Sequence, residues 1–204
     1  LNDGETYSDG CAIAIFYTDS EMKNIYTGAY HETENAGLIT KISGSRTLVE
    51  IDHEPALKKY AEWTGKDVES LKGNNLLTET ICAPLGVKDP IGKVIAVRHP
   101  MFGNDDYSMN IGADLAVNTA VIQLSNTPEG ILNELMETNP QSYFLVHCGG
   151  RRLGLALSQI EDKIYPEVKK AIPEKEFLMV FTFGEYGTGD HSSNTVGGLS
   201  LSYT

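Results

Sequence analysis

No apolar run in this sequence approaches the ~20 residues that a membrane-spanning helix needs, and no signal-peptide pattern is present. Cysteine is scarce. Cys11, Cys82 and Cys148 are an odd number, far apart, in apolar or mixed surroundings. That argues against a disulfide framework and makes a reducing cytoplasm the expected compartment. Basic charge is short as well, with 16 Lys and Arg against 28 Asp and Glu, a net charge of −12. Nucleic acids and anionic membranes both reward a basic face, so neither is an expected partner. The acids are dispersed and read as a solvated surface. His31, His53 and His99 have no partner at metal-ligand spacing, and adjacent His147 and Cys148 point to opposite strand faces, so no metal site is expected. Phosphate-loop, dinucleotide and kinase motifs are missing, and no cofactor is expected.

The 204 residues suit one large domain or one and a half smaller ones, and 41% hydrophobic content gives material for a sizeable core. Leu1, rather than Met, points to a piece of a longer chain whose missing part lies upstream. Cys11 to Tyr17 is an apolar run of strand length, suited to burial on both faces, with Asn24 to Tyr30 as its expected hairpin partner. Leu38 to Ile42 and Arg46 to Ile51 are two further strands around the turn Ser43-Gly44-Ser45. Residues 1–50 therefore read as a β-rich segment, and 51–204 as a second unit.

Asp52-His53-Glu54-Pro55 reads as a helix start, with Asp52 or His53 near the cap. Ala56, Leu57, Tyr60, Ala61 and Trp63 give that helix its apolar side, and Gly65 stops it. A shorter helix or turn follows to Leu77, then a loop at Ala83–Gly86. Gly92 to Val97 reads as a strand ending in Arg98-His99-Pro100, and Val117 to Leu124 as another. Thr127-Pro128-Glu129 opens a helix with the apolar stripe Ile131, Leu132, Leu135 and Met136. After the strand Ser142–Cys148 comes the longest helix. Ala156, Ile160, Ile164, Val168 and Ile172 recur every four residues along it, and Pro166 is the expected place for a kink. Strands at Phe177–Phe183 and near Thr195–Ser202 close the chain. The fold class is α/β of the mixed α+β kind, with mixed sheets, packed helices and a terminal α-β-α-β-β unit.

Chemistry concentrates from Tyr143 to Thr195. A strand ending at Cys148 and running through Gly149-Gly150 into a helix leaves backbone amides free at the helix start, where anions bind. Arg151 and Arg152 add guanidinium forks suited to a carboxylate or phosphate. One strand over, Gly184 precedes Glu185, whose negative charge suits an ammonium, and His191, Asn194 and Thr195 offer neutral hydrogen bonds. Together these fit a small zwitterion such as an amino acid. Arg98, at another strand end, is a further candidate. Each residue also has a plain role: Cys148 as a packed thiol, one arginine paired with an acid, the glycines as turn residues. A cysteine-hydrolase reading, with Cys148 as nucleophile, His191 as base and Glu185 as orienter, stays open beside binding, as does a scaffold without a small ligand. The residues favour binding over catalysis.

Several short segments resemble one family, in order and spacing. They are Tyr7-Ser8-Asp9-Gly10-Cys11-Ala12, Leu48-Val49-Glu50-Ile51-Asp52 with Pro55-Ala56-Leu57 and Tyr60, and Ala83-Pro84-Leu85-Gly86-Val87. Val97-Arg98-His99-Pro100, Cys148-Gly149-Gly150-Arg151-Arg152, and Gly184-Glu185 followed by Asn194-Thr195 complete the set. Over most of its length the chain resembles the FIST domain family, named for F-box and intracellular signal transduction proteins, mainly its C-terminal domain. Residues 1–50 are similar to the junction after the family's N-terminal half, most of which this chain lacks. The resemblance implies an intracellular sensory module that binds a small ligand, with amino acids proposed from genomic context. It implies a signalling partner domain or protein, and it brings no catalytic mechanism.

Overall fold

The chain builds its larger sheet from hairpins. The structure, a computed structural model, describes residues 8–9, 15, 17, 19, 25–88, 94–137, 144–172, 177–188, 194–197 and 201–203. Strands β2 (His31–Ser43) and β3 (Thr47–Ile51) are joined by the expected turn, in which Gly44 takes a left-handed φ of 60°. Residues 52–55 do not start a helix. Asp52 and His53 have φ of 53° and 65°, and they form a two-residue turn from β3 into the short β4 (Glu54–Pro55). Two successive positive φ values are the geometry that matches hairpin twist. The Asp52 carboxylate is anchored by the Leu38 amide at 2.8 Å, and the His53 amide donates to Thr40 Oγ1 at 2.9 Å.

Helix α1 (Ala56–Thr64) then runs to Gly65, whose φ of 67° ends it as expected. Its inward residues Ala56, Leu57, Tyr60 and Ala61 are buried. Tyr60 donates its hydroxyl to the Ala83 carbonyl at 2.7 Å, which ties the helix to the segment before the next strand. Tyr60→Phe is expected to cost about 1 kcal/mol, read as a lower urea midpoint at unchanged slope.

Two one-turn helices, α2 (Val68–Leu71) and α3 (Leu77–Thr80), lead to β5 (Leu85–Lys88), so only the first half of the expected 83–86 loop is loop. Then come β6 (Val94–Arg98), β7 (Pro100–Gly103), β8 (Met109–Ile111) and β9 (Ala120–Ser125). The sheet order is β6-β5-β9-β2-β3-β8-β7, with β4 attached to β3. Adjacent residues of its strands divide between two cores. Ala96 and Val121 pack with Leu57 and Tyr60 of α1, whereas Val97 and Ile122 pack with Ile131, Leu155 and Val168. That alternation is the period of two expected of a sheet buried on both faces.

The smaller sheet has the order β1-β14-β10-β11, formed by β1 (Ile25–Thr27), β14 (Leu201–Tyr203), β10 (Phe144–Cys148) and β11 (Leu178–Thr182). β10 and β11 are parallel, and the other pairs are antiparallel. β1 pairs with β14; residues 11–17, its expected hairpin partner, lie mostly outside the described residues, and Ile15 and Tyr17 are exposed. One expectation is corrected here. The closing strand is two strands, β13 (Asn194–Gly197) and β14.

Helix α4 (Pro128–Glu137) starts at the expected Thr127, whose hydroxyl accepts from the Gly130 amide at 3.0 Å. The long helix expected after β10 is broken. It is α5 (Gly149–Leu157), a left-handed Gln159 with φ of 59°, a 3₁₀ turn at Glu161–Lys163, and α6 (Ile164–Ala171). Pro166 is not the break. It lies in the first turn of α6, where an amide has no helical partner to lose. The four-residue spacing persists across the break because Ile160, Ile164, Val168 and Ile172 all enter one core.

Candidate functional site

Cys148 ends β10 and is also the N-cap of α5, with extended backbone and no side-chain cap of its own. The strand therefore becomes a helix with no loop between, and the first-turn amides of α5 open at the C-terminal end of the smaller sheet. Gly149 makes the passage possible. A Cβ there would stand 3.2 Å from the Thr182 carbonyl oxygen and 3.3 Å from the Phe183 ring, so the helix starts hard against the end of β11.

Helical phase separates the two arginines. Arg151 turns inward and is fully buried, and its Nη2 donates to the Ile131 carbonyl of α4 at 3.0 Å. Arg152 faces out, pairs with Glu161 at 2.5 Å, and lays its guanidinium over the Phe181 ring, 4.8 Å from the centroid. The expectation that one arginine would simply pair with an acid fits Arg152.

Glu185 opens strand β12 (Glu185–Thr188) and is also fully buried. Gly184 before it has φ of 98°, a corner only glycine takes easily. The Thr182 hydroxyl donates to Glu185 Oε1 at 3.0 Å. Thr182 is in register with Cys148, so the carboxylate is drawn toward the strand end where α5 begins.

One titratable group went unremarked as a site candidate. His147, opposite in register to Phe181, is fully buried, and its ring meets the Phe181 ring nearly edge-on at 5.5 Å between centroids. Its Nδ1 lies 3.0 Å from the Cys148 carbonyl oxygen. A carbonyl only accepts, so Nδ1 carries the proton. Nε2 is then a bare acceptor, with no hydrogen-bond partner among the described residues. Burial, and next the charge of Arg151, hold the imidazole well below its usual pKa, so it is neutral at physiological pH. Strand parity was the signal that could have found it: His147 shares its strand face with Leu145, an inward position.

The structure thus gathers Cys148, Gly149, Gly150, Arg151, Gly184 and Glu185, with His147, at one end of the parallel pair. It does not bring Asn194, Thr195 or Arg98 there. Asn194 and Thr195 stand opposite Thr188 and Gly187, whereas Glu185 stands opposite Gly197. Asn194 is therefore about 10 Å along the hairpin from Glu185. His191 lies outside the described residues. Arg98 ends β6 on the larger sheet, donating Nε to the Asp114 carbonyl at 3.0 Å. Burial lowers its pKa, with Tyr26 and Asp114 opposing. The β12–β13 hairpin lies between these places, with β12 against β1 and β13 against β6.

No helix among the described residues is long and apolar enough to cross a membrane. No curated protein and no solved structure matches the chain. The FIST C domain profile matches residues 56–188, which take in α1, the larger sheet from β5 onward, the β10–α5 turn and the Gly184-Glu185 corner. With a match over more than half its length, the chain belongs to the FIST C domain family, a family associated with signal transduction and sensing.

Proposed function

We propose that the chain is a sensing domain that binds a small metabolite at the C-terminal ends of β10 and β11 and passes its bound state to a partner domain or protein. One observation carries this reading: Arg151, Glu185 and His147 are all fully buried at the same end of one small sheet. Buried charge costs several kcal/mol and is a poor way to gain stability, whereas binding sites concentrate perturbed titratable groups. The end of parallel strands leading into a helix is also where α/β folds take up ligands.

The chemistry favours an amino acid or a related zwitterion. Its carboxylate meets the first amides of α5 and the Arg151 guanidinium, and its ammonium meets Glu185. Gly149, Gly150 and Gly184 allow close backbone approach. Cys148 is a secondary contact in this reading; Arg152, which faces out, and Asn194, Thr195 and Arg98, which stand apart from these strand ends, are left out of it. Residues 51–204 carry the proposed site, and β2 and most of β3, from residues 1–50, complete the larger sheet behind it. Because both charges are sealed, entry requires the Phe183-Gly184 corner to swing away from Gly149. Cytoplasmic location follows from the same reading of the cysteines.

The test is a thermal-shift screen against the amino acids and common small organic acids. A ligand at 100 times its Kd adds about 2.7 kcal/mol, or about 5–10 °C in Tm for a chain of this size. Glu185→Gln is expected to remove the preference for amines over matching acids. A flat response across the set would overturn the proposal.

A further inference from the structure

β11 is the edge of the smaller sheet. Its inner neighbour is β10, and no strand among the described residues pairs with its outer side. Residues 177–183 read Phe-Leu-Met-Val-Phe-Thr-Phe, with no charge, proline or glycine. Free sheet edges are normally guarded by lysine, proline or a bulge, because an unguarded edge pairs with whatever strand it meets. This one is unguarded and open: Leu178 is 58% and Phe183 88% exposed. Beside it runs a groove of about 730 Å³ lined by Tyr165, Phe177, Met179 and Phe181, with Arg152 and Glu161 among its charged residues.

We infer that this edge is the contact between two copies of the chain, joined by antiparallel pairing of β11 with the same strand of the partner. Each copy carries −12, so most of its surface repels another copy; β11 itself carries no charge, and Glu161 of the adjoining groove is already paired with Arg152, so repulsion between two copies is least here. The run is also self-complementary. A two-fold axis through Val180 sets Val180 opposite its own copy, Met179 opposite Phe181, and Leu178 opposite Thr182. On the groove face the Met179–Phe181 pairs bring the two grooves together. On the other face Leu178 is covered. Such a contact is isologous and closes at two, giving one continuous eight-stranded sheet and no free edge at β11.

Sedimentation equilibrium over micromolar to submillimolar loading tests it, with a limiting mass of twice 22.3 kDa expected. Leu178→Lys is expected to shift the population to monomer while leaving the circular dichroism spectrum unchanged, since that side chain is mostly exposed. Val180→Cys is expected to oxidise to a dimer linked through position 180 in peptide mapping, because facing residues of an antiparallel pair lie within disulfide reach. A monomer at every loading overturns the inference. So does a dimer that survives Leu178→Lys without a 180–180 disulfide, which would mean another interface. Open-ended assembly also overturns it.

Discussion

Arg151→Ala is expected to lower stability by about 3–5 kcal/mol, a large part of the about 5–15 kcal/mol that holds a typical domain together. The guanidinium is fully buried at the first turn of α5 and bonds the Ile131 carbonyl of α4. Truncation opens a large cavity between the two helices and deprives a buried acceptor of a charged donor, a bond worth about 1.5–3 kcal/mol by itself. Arg151→Lys does not rescue it, because an ammonium lacks the planar fork. Arg152→Ala is the control. Its ion pair with Glu161 is exposed, and its loss is expected to cost less than about 1 kcal/mol. Urea unfolding of the three variants decides the matter. Equal effects from Arg151→Ala and Arg152→Ala would mean that burial of the first guanidinium carries no energy.

Stability is expected to fall by about 3 kcal/mol from His99 alone between about pH 6.5 and about 4, the range over which its folded and unfolded states differ in protonation. His99 is buried, and its Nε2 bonds the Leu77 carbonyl at 3.0 Å. Burial depresses its pKa to about 4, with the Leu77 bond opposing. The sign follows from proton counting. Below pH 6.5 the unfolded chain takes up a proton that the folded chain refuses, so acid favours unfolding; above 6.5 both are neutral and the stability is full. His147 is depressed for the same first reason and acts in the same direction. The lowered carboxyl groups of Asp106 and Asp114 start from 3.8 and act below this window. Urea unfolding at the two ends of the range measures the slope, and His99→Gln is expected to flatten it. An unchanged slope in that variant would remove His99 from the account.

Much of the frame was legible in the sequence because it rests on local rules. Gly44 and Gly65 sit where a left-handed φ is needed, Thr127-Pro128 caps and starts a helix, and Cys148 to Arg151 passes from strand to helix. What escaped depended on partners or on backbone states that residue type does not announce. Asp52-His53 reads as a cap followed by Pro55, yet both residues adopt positive φ to close a hairpin that β3 was already committed to. Ile25–Thr27 has a partner at the far end of the chain, at Leu201–Tyr203, and no nearby pattern records that. The break at Gln159 was hidden because the apolar spacing continues through it. At the candidate site, Gly149, Gly150, Arg151 and Glu185 were singled out together from the sequence, and the complete burial of Arg151 and Glu185 was not foreseen. The inward and outward turns of Arg151 and Arg152 need the phase of α5, which is fixed by where Cys148 caps it.

The larger sheet has a consequence for how the molecule comes apart. Val97, Ile122 and Leu124 belong to the core beneath α4–α6, and their neighbours Ala96 and Val121 belong to the core beneath α1. One wall thus serves two rooms. Peeling the helices from either face strips support from strands that the opposite core also needs, so neither half has an intact fold of its own to fall back on. Melting is then expected to be a single cooperative event, with the buried charges at the end of β10 held by the packing of both cores.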